Sequence, residues 1–188
     1  MLVCEGLSDE PIEELAGRTP LEVAKTPQLD LLAKKGRLGQ ATFSPGTLRA
    51  SGDVAVMSIL GFDPQEFYTG IAPLEAIARG IPQNDRAIAF RCNLVTALDE
   101  NLIDAYSGGI SSKESQILIE ALNKKLSNDR IRFYPGEGFQ NLLIINDADL
   151  AESLDALDCV PPHTVIGQKF VKNFPKGPAA SAVADLIN

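Results

Sequence analysis

The stretch Gly136-Glu-Gly-Phe-Gln-Asn-Leu-Leu-Ile-Ile145 decides how the larger part of this 188-residue chain folds. Its two glycines favour a turn, and the apolar run that ends at Ile145 favours a buried strand, which we place at 140–146. Residues 131–135, just before the turn, carry a second strand pattern. The core of this part of the chain is therefore expected to contain a β-sheet.

The pattern on either side of these strands predicts further elements. They are a helix at 73–79, strands at 86–95 and 102–107, a helix at 112–126 and a last helix at 179–187. Asp99-Glu-Asn101 supplies a turn between strands, and Ser111 with Glu114 has the capping-box spacing of a helix start. The acidic stretch 147–160 is expected to be irregular. Together these elements predict an α/β sandwich over residues 63–188.

The first 62 residues show a different order. Short apolar runs at 1–4 and 38–43 predict two buried strands. Between them Thr26-Pro27 predicts a helix start and Gly36 a helix end. The buried stripe of this helix is expected to consist of Leu29, Leu31 and Leu32. Strand, helix and strand in this order indicate the beginning of a parallel sheet, and so an α/β class for the whole chain.

Composition limits the function. The net charge of −8 disfavours nucleic acids and anionic membranes as partners, and points to a small ligand or another protein. Cys4, Cys92 and Cys159 are an odd, widely spaced set, typical of buried thiols in a reducing compartment. The chain has no signal-peptide pattern and no apolar run long enough to span a bilayer, so we expect a cytoplasmic protein.

Three further segments carry a family resemblance. They are Leu2-Val-Cys-Glu-Gly-Leu-Ser-Asp-Glu-Pro11, Thr19-Pro-Leu-Glu-Val-Ala-Lys-Thr-Pro-Gln-Leu-Asp30 and Arg49-Ala-Ser-Gly-Asp-Val-Ala-Val-Met-Ser-Ile-Leu-Gly-Phe-Asp-Pro64. The chain resembles the archaeal-type cofactor-independent phosphoglycerate mutases, metalloenzymes of the alkaline phosphatase superfamily. This resemblance implies that residues 1–62 form part of a phosphatase-like parallel sheet and that 63–188 form an inserted substrate-binding-type domain.

The resemblance also implies a reaction. Intact relatives use two divalent metals, Mn, Mg or Zn, to interconvert 3- and 2-phosphoglycerate through a phosphoserine. When the segment is aligned on Gly61-Phe-Asp-Pro64, the nucleophile position falls on Gly52, with Ser51 one residue early. Ser51 therefore remains the catalytic candidate but is better explained as a helix N-cap, in a helix running to about Leu60. Glu5 stands at a metal-ligand position as a longer carboxylate than the family's Asp.

Other polar positions of the family pattern are changed. Apolar or neutral side chains replace polar or basic groups at Val56, Ile71, Gln140 and Asn141. The chain has one histidine, His163, where a site with two metals normally draws several His and Asp ligands. Four residues lie in segments that stay close to the family pattern and are the candidates for substrate binding: Arg91, Asn93, His163 and Lys176.

These observations support more than one function. The favoured hypothesis is a phosphoglycerate mutase-like protein, inactive on its own, with a small phosphorylated metabolite as its candidate ligand. Whether it holds a metal stays open, with Glu5 as the one candidate ligand. The alternatives are a non-catalytic ligand-binding, regulatory or structural subunit, and the N-terminal piece of a split mutase. Family members are about twice this long, so a homo-oligomer or a partner chain is expected to cover the incomplete sheet.

Overall fold

The computed structural model of the protein describes residues 1–4, 6–43, 46, 48, 51–152, 157–177 and 180–181. The chain divides into two compact units, Met1–Tyr68 and Thr69–Asn188. The sequence places the division a few residues earlier, after residue 62. The roles assigned to the two parts from the family resemblance stay predictions.

A three-stranded antiparallel sheet forms the centre of the second unit. Its strands are β1 (Ala87–Asn93), β4 (Ile131–Tyr134) and β5 (Gln140–Asn146), in the order β1-β5-β4. In the register, Asn93 lies opposite Gln140 and Ile131 lies opposite Ile145. The strands predicted at 86–95, 131–135 and 140–146 are thereby confirmed, and the last of these matches β5 at both ends.

One face of this sheet is covered by α6 (Ser112–Leu126). The helix begins with the predicted capping box, in which Ser111 accepts from the Glu114 N–H and Glu114 accepts from the Ser111 N–H. Its fully buried Ile119 packs with Leu143 and Ile145 of β5. This arrangement shows why the helix starts where the sequence predicts it, since both end groups of the box are satisfied locally.

The short helix α7 (Ala148–Glu152) packs into the same core through Leu150. It lies in the stretch 147–160 that was expected to be irregular, so that part of the prediction is wrong. The physical reason is Asp147, whose Oδ1 accepts from the backbone N–H groups of Asp149 and Leu150, 3.1 Å away in each case. An acidic stretch thus contains its own helix cap.

The opposite face of the sheet carries α5 (Ile71–Ala78), which occupies the region of the helix predicted at 73–79. Ala72 and Ala76 of this helix pack on Leu142 and Ile144. Successive residues of a strand point to opposite faces, so these leucine and isoleucine side chains face away from α6. The second unit is therefore a helix–sheet–helix sandwich, and the α/β class predicted from the sequence is confirmed.

A separate hairpin joins β2 (Thr96–Leu98) to β3 (Asn101–Asp104). Asp99 and Glu100 both have positive φ, as a two-residue turn between strands requires. The turn was predicted, but β2 was not. The loop that contains Gly167 lies along β3, where Leu102 donates to the Gln168 carbonyl and accepts from the Gly167 N–H.

The first unit is helical in the residues that the structure describes. Its helices are α1 (Pro20–Val23), α2 (Pro27–Lys35), α3 (Gly52–Ile59) and α4 (Pro64–Phe67). The helix expected between Thr26 and Gly36 is confirmed as α2. Its buried stripe is not, because Leu29, Leu31 and Leu32 are exposed, Leu32 by 67%.

The two strands predicted in this unit are wrong. Residues 1–4 and 38–43 belong to no strand, and all strand pairs within the described residues are antiparallel. A short apolar run becomes a strand only where a neighbouring strand accepts its backbone hydrogen bonds. Cys4 and Cys159 are exposed rather than buried, whereas Cys92 is half-buried.

The predicted last helix, 179–187, lies largely outside the described residues. Of this range the structure describes Ala180 and Ser181, which are both helical. Across the part of the chain that the structure describes, no helix combines the length and the apolar character needed to cross a bilayer.

Candidate functional site

The start of α3 is the position that the sequence relates to a nucleophile. Ser51 is the N-cap residue, in extended backbone, as predicted. Its side chain does not accept from the helix N–H groups, however, and its interaction with the Asp53 carboxylate is one of the causes that lower the pKa of that group. Gly52, at the aligned nucleophile position, is the first helical residue and carries no side chain.

Asp53 is the hub of this small cluster. The hydroxyl of Tyr68 donates to its Oδ2, and Tyr68 is half-buried. Partial burial raises the pKa of Asp53, but hydrogen bonds from Ser51, Tyr68 and the backbone N–H groups of Asp53 and Val54 outweigh that effect, so the pKa lies below its ordinary value. The carboxylate is therefore ionised at neutral pH and acts as an acceptor.

The predicted metal ligand cannot be placed, because Glu5 lies outside the described residues. Asp9, the other acid of that segment, is exposed and accepts from the Glu10 N–H at 2.8 Å. Within the described ranges, no three His, Cys, Asp or Glu side chains come together as a metal cluster. A divalent metal needs several such ligands, so the described donors do not fit one, and we derive no step through a metal.

Arg91 and Asn93 lie on the same face of β1, two residues apart. Arg91 is paired with Glu75 of α5 through two contacts, one of which joins Nε to Oε2 at 3.2 Å. The guanidinium fork is thus engaged by a carboxylate of the same unit. An anionic ligand at Arg91 has to share or displace Glu75.

Asn93 differs from its neighbour in having an unmet acceptor. Its Oδ1 atom is buried and has no hydrogen-bond partner among the described residues. A buried polar atom without a partner costs about 1–3 kcal/mol, which a ligand hydroxyl or N–H can recover. Of the four predicted substrate-binding residues, Asn93 is the one with this direct sign of a missing partner.

His163 and Lys176 lie in the loop region near the end of the chain. His163 is exposed in a short 3-10 helix, Pro162–Thr164. Lys176 is also exposed, and its backbone pairs with Asp158 through two hydrogen bonds of 2.8 and 2.9 Å. The structure thus brings Arg91 and Asn93 together on β1, whereas His163 and Lys176 lie in the loop region that follows the sheet along the chain.

Asn141 is not a vacant ligand position. It is fully buried, and its Oδ1 accepts from the Ser115 hydroxyl at 3.1 Å and from the Gly136 N–H at 2.9 Å. Its Nδ2 donates to the Phe139 carbonyl. Where the sequence suggested a lost basic group, the structure shows an amide that ties α6 to the turn before β5.

Two partners of the site escaped sequence reasoning. Tyr68 and Glu75 both stand in the segment Tyr68-Thr-Gly-Ile-Ala-Pro-Leu-Glu-Ala76, of which only Ile71 entered the sequence-based prediction. Their preserved polar character was the available signal. It gained meaning only when the fold placed them against Asp53 and Arg91.

The antiparallel sheet with helices on both faces, following in the chain a unit in which Tyr68 donates to Asp53, defines a protein of the α/β class. A family model described as 2,3-bisphosphoglycerate-independent phosphoglycerate mutase matches residues 33–188. The chain belongs to this family.

Similar proteins agree with this assignment. Proteins named 2,3-bisphosphoglycerate-independent phosphoglycerate mutase from Methanosarcina barkeri and Methanosarcina mazei are 43% and 42% identical over the whole of this chain. The chain spans 46% of the length of each.

Two solved structures are similar as well. The cofactor-independent phosphoglycerate mutase from Thermoplasma acidophilum is 27% identical, with a TM-score of 0.50, over 97% of this chain and 48% of its own. The PH0037 protein from Pyrococcus horikoshii is 32% identical, with a TM-score of 0.58, over 75% of this chain and 35% of its own.

Proposed function

We propose that this chain is a phosphoglycerate mutase-like protein that does not catalyse the family reaction on its own. The reaction expected of an intact relative transfers phosphate between the 3- and 2-hydroxyls of glycerate through a phosphoserine. The observation that carries the proposal is the start of α3, where Gly52 occupies the aligned nucleophile position and Ser51, one residue earlier, is the N-cap residue.

The chemistry of this cluster supports the proposal. A serine hydroxyl becomes a nucleophile when a metal or a base of suitable pKa takes its proton. Asp53, with its pKa lowered by its hydrogen bonds, is a weak base at neutral pH. The metals of the intact relatives, Mn, Mg or Zn, find no cluster of ligands in the described part of this chain.

Ligand binding is the activity that we propose for the second unit. The unmet acceptor of Asn93 and the guanidinium of Arg91 lie on one face of β1, where a small phosphorylated metabolite can use both. Glu75 competes for Arg91, so the affinity is expected to be modest. We also propose that the protein is cytoplasmic. This is supported by the thiols of Cys4, Cys92 and Cys159, which form no disulfide.

The first experiment is an assay of the purified chain with 3-phosphoglycerate and Mn²⁺. We expect no conversion to 2-phosphoglycerate above the buffer rate, for the wild type and for Ser51→Ala alike. Wild-type turnover that disappears in Ser51→Ala would contradict the proposal. Calorimetric titration of 3-phosphoglycerate, with and without Mn²⁺, then measures binding, which we expect to be independent of the metal and weakened in Asn93→Ala.

A second candidate function is the N-terminal piece of a split mutase. The observation that favours it is the exposure of Leu29 and Leu32 on α2, which are 39% and 67% exposed. Side chains three positions apart lie on the same face of a helix, and exposed apolar side chains on one face are suited to contact another chain. The occupant that we propose is a chain carrying the remaining part of the family fold, although a second copy of this chain also fits the apolar surface.

Mixing distinguishes the two candidates. The portion of the Methanosarcina barkeri relative that this chain does not cover is expressed separately and added with Mn²⁺. Mutase activity and co-elution, both lost in Leu32→Glu, support a split enzyme. Neither signal is expected if the chain is an independent, inactive relative, and light scattering then reports whether it self-associates.

A further inference from the structure

A cleft of about 390 Å³ opens on the face of the sheet that carries α5, next to β4. Its walls come from the loop after α5, from the turn before β4 and from side chains of β4 and β5. This volume lies within the range of small-molecule sites, about 300–1,000 Å³. All of its lining residues belong to the second unit.

The lining of the cleft contains an exposed cation, Arg132. The guanidinium carbon of Arg132 lies 5.7 Å from the ring centroid of Tyr134. Stacking on an aromatic ring restricts the rotamers of an arginine and leaves the edges of its N–H fork free. Its near neighbour Arg130 is neutralised by Asp147, whereas no carboxylate of the described residues forms an ion pair with Arg132.

Two amide side chains of the lining are fixed in orientation by the backbone. Asn128 Oδ1 accepts from the N–H groups of Arg130 and Ile131 at 2.8 and 3.0 Å. Asn84 Oδ1 accepts from the Arg86 N–H at 2.9 Å. Because the oxygen of each amide is already bound, its NH₂ group is set as a donor. Together with Arg132 these groups form a set of donors held in place before any ligand arrives.

We propose that this cleft is a binding site for a small oxyanion, the phosphate or carboxylate group of a metabolite, held by Arg132 and the amides of Asn84 and Asn128. An arginine fork flanked by N–H donors matches the oxygens of such a group. Asp129, the carboxylate among the lining residues, suits a hydroxyl of the same ligand. This inference does not depend on the proposed function.

The site is separate from the pair Arg91 and Asn93. Arg91 of β1, Leu142 of β5 and Tyr134 of β4 form one cross-strand row. Neighbouring strands lie about 4.8 Å apart, so β4 and β1 are about 10 Å apart with β5 between them. The net charge of −8 provides no general attraction for anions, so saturable binding has to come from a local arrangement.

Nuclear magnetic resonance of the full chain tests the proposal. The probes are inorganic phosphate and succinate, added separately at constant ionic strength while the side-chain signals of Arg132, Asn84 and Asn128 are followed. We expect saturable shifts at these groups with at least one probe. Arg132→Gln should weaken the binding at least tenfold, equivalent to about 1.4 kcal/mol, and Arg132→Lys by less.

Lys125→Gln is the matched control, because it removes the same charge from an exposed residue of α6, on the other face of the sheet. It should change the affinity less than twofold. Linear shifts spread over many basic residues, shifts centred on Arg91, or an equal loss in Lys125→Gln would each overturn the proposal. The backbone spectrum of each variant shows that it remains folded.

Discussion

Asn141 and Asp53 show that the role of a polar side chain in this protein depends on what surrounds it. Asn141 is fully buried and makes three hydrogen bonds, so it stabilises the turn before β5. Asp53 is partly exposed and collects hydroxyl and backbone donors at a helix start. A carboxylate there also meets the positive end of the helix dipole.

Removing the Tyr68 hydroxyl tests the cluster at the start of α3. In Tyr68→Phe the carboxylate of Asp53 loses one donor, so its pKa should rise toward the ordinary value for aspartate. We also expect the free energy of unfolding to fall by about 1 kcal/mol at neutral pH, because solvent screening of the partly exposed carboxylate reduces the contribution of a hydrogen bond to a charged group. Carbon-detected titration of Asp53 and urea denaturation measure the two effects.

The pH dependence has a definite sign. Because the folded-state pKa of Asp53 is lowered, its contribution to stability is present above its unfolded pKa, about 3.9, and is lost as the pH falls through the folded value. The difference between wild type and Tyr68→Phe should therefore shrink below about pH 4. Tyr106→Phe, an exposed tyrosine of the second unit, serves as the control and should show no such trend.

The sequence predicts that Ser51 is a helix N-cap, but it does not predict which groups contact the neighbouring carboxylate of Asp53. The N-cap location follows from a serine before a helical run, which is local information. Tyr68, whose hydroxyl donates to Asp53, comes from a different part of the chain, at the end of α4. Likewise Glu75 and Arg91 meet only because α5 packs on β1, which no local pattern states.

At the scale of elements, local signals predicted those that contain their own start and stop. The bounds of α6 and β5 agree with the prediction because a capping box begins one and a glycine turn precedes the other. β2 escaped prediction because its three residues are all exposed and show no alternation. The strands expected in the first unit failed since a strand depends on a neighbour that the local sequence does not describe.

Gly136 lies in the turn between β4 and β5. Replacing it tests whether this turn requires a residue without a side chain. A Cβ atom there would lie 2.1 Å from the Gln140 carbonyl oxygen and 2.3 Å from Nη1 of Arg79. Gly136→Ala should lower the free energy of unfolding by about 1–3 kcal/mol, because the backbone of the turn has to move. Denaturation with guanidinium chloride measures this change.

Gly39→Ala is the matched control, since a Cβ at that position meets nothing within 4 Å and the φ angle is not positive. We expect it to be neutral within about 0.5 kcal/mol. The double variant Gly136→Ala with Arg79→Ala should recover little of the lost stability, because the contact of the new Cβ with the Gln140 carbonyl oxygen remains. Full recovery would show that Arg79 alone sets the requirement for glycine.

For the whole molecule, the division after Tyr68 separates two units that differ in secondary structure. The second contains the antiparallel sheet and both hydrophobic clusters, whereas the described part of the first consists of helices and loops. We therefore predict that residues 69–188 fold without the first unit. Their amide spectrum should overlay on that of the same residues in the full chain, and a collapsed spectrum would contradict the prediction.

The order of the strands has a consequence for how the protein emerges during synthesis. β5 is the central strand of the sheet, yet it is the last of the three along the chain. β1 has no sheet partner until residue 146 has left the ribosome. Its apolar side chains therefore stay unpaired with β5 while some fifty further residues are synthesised. Chaperone contacts on the nascent chain should accordingly concentrate on β1 and end when β5 appears.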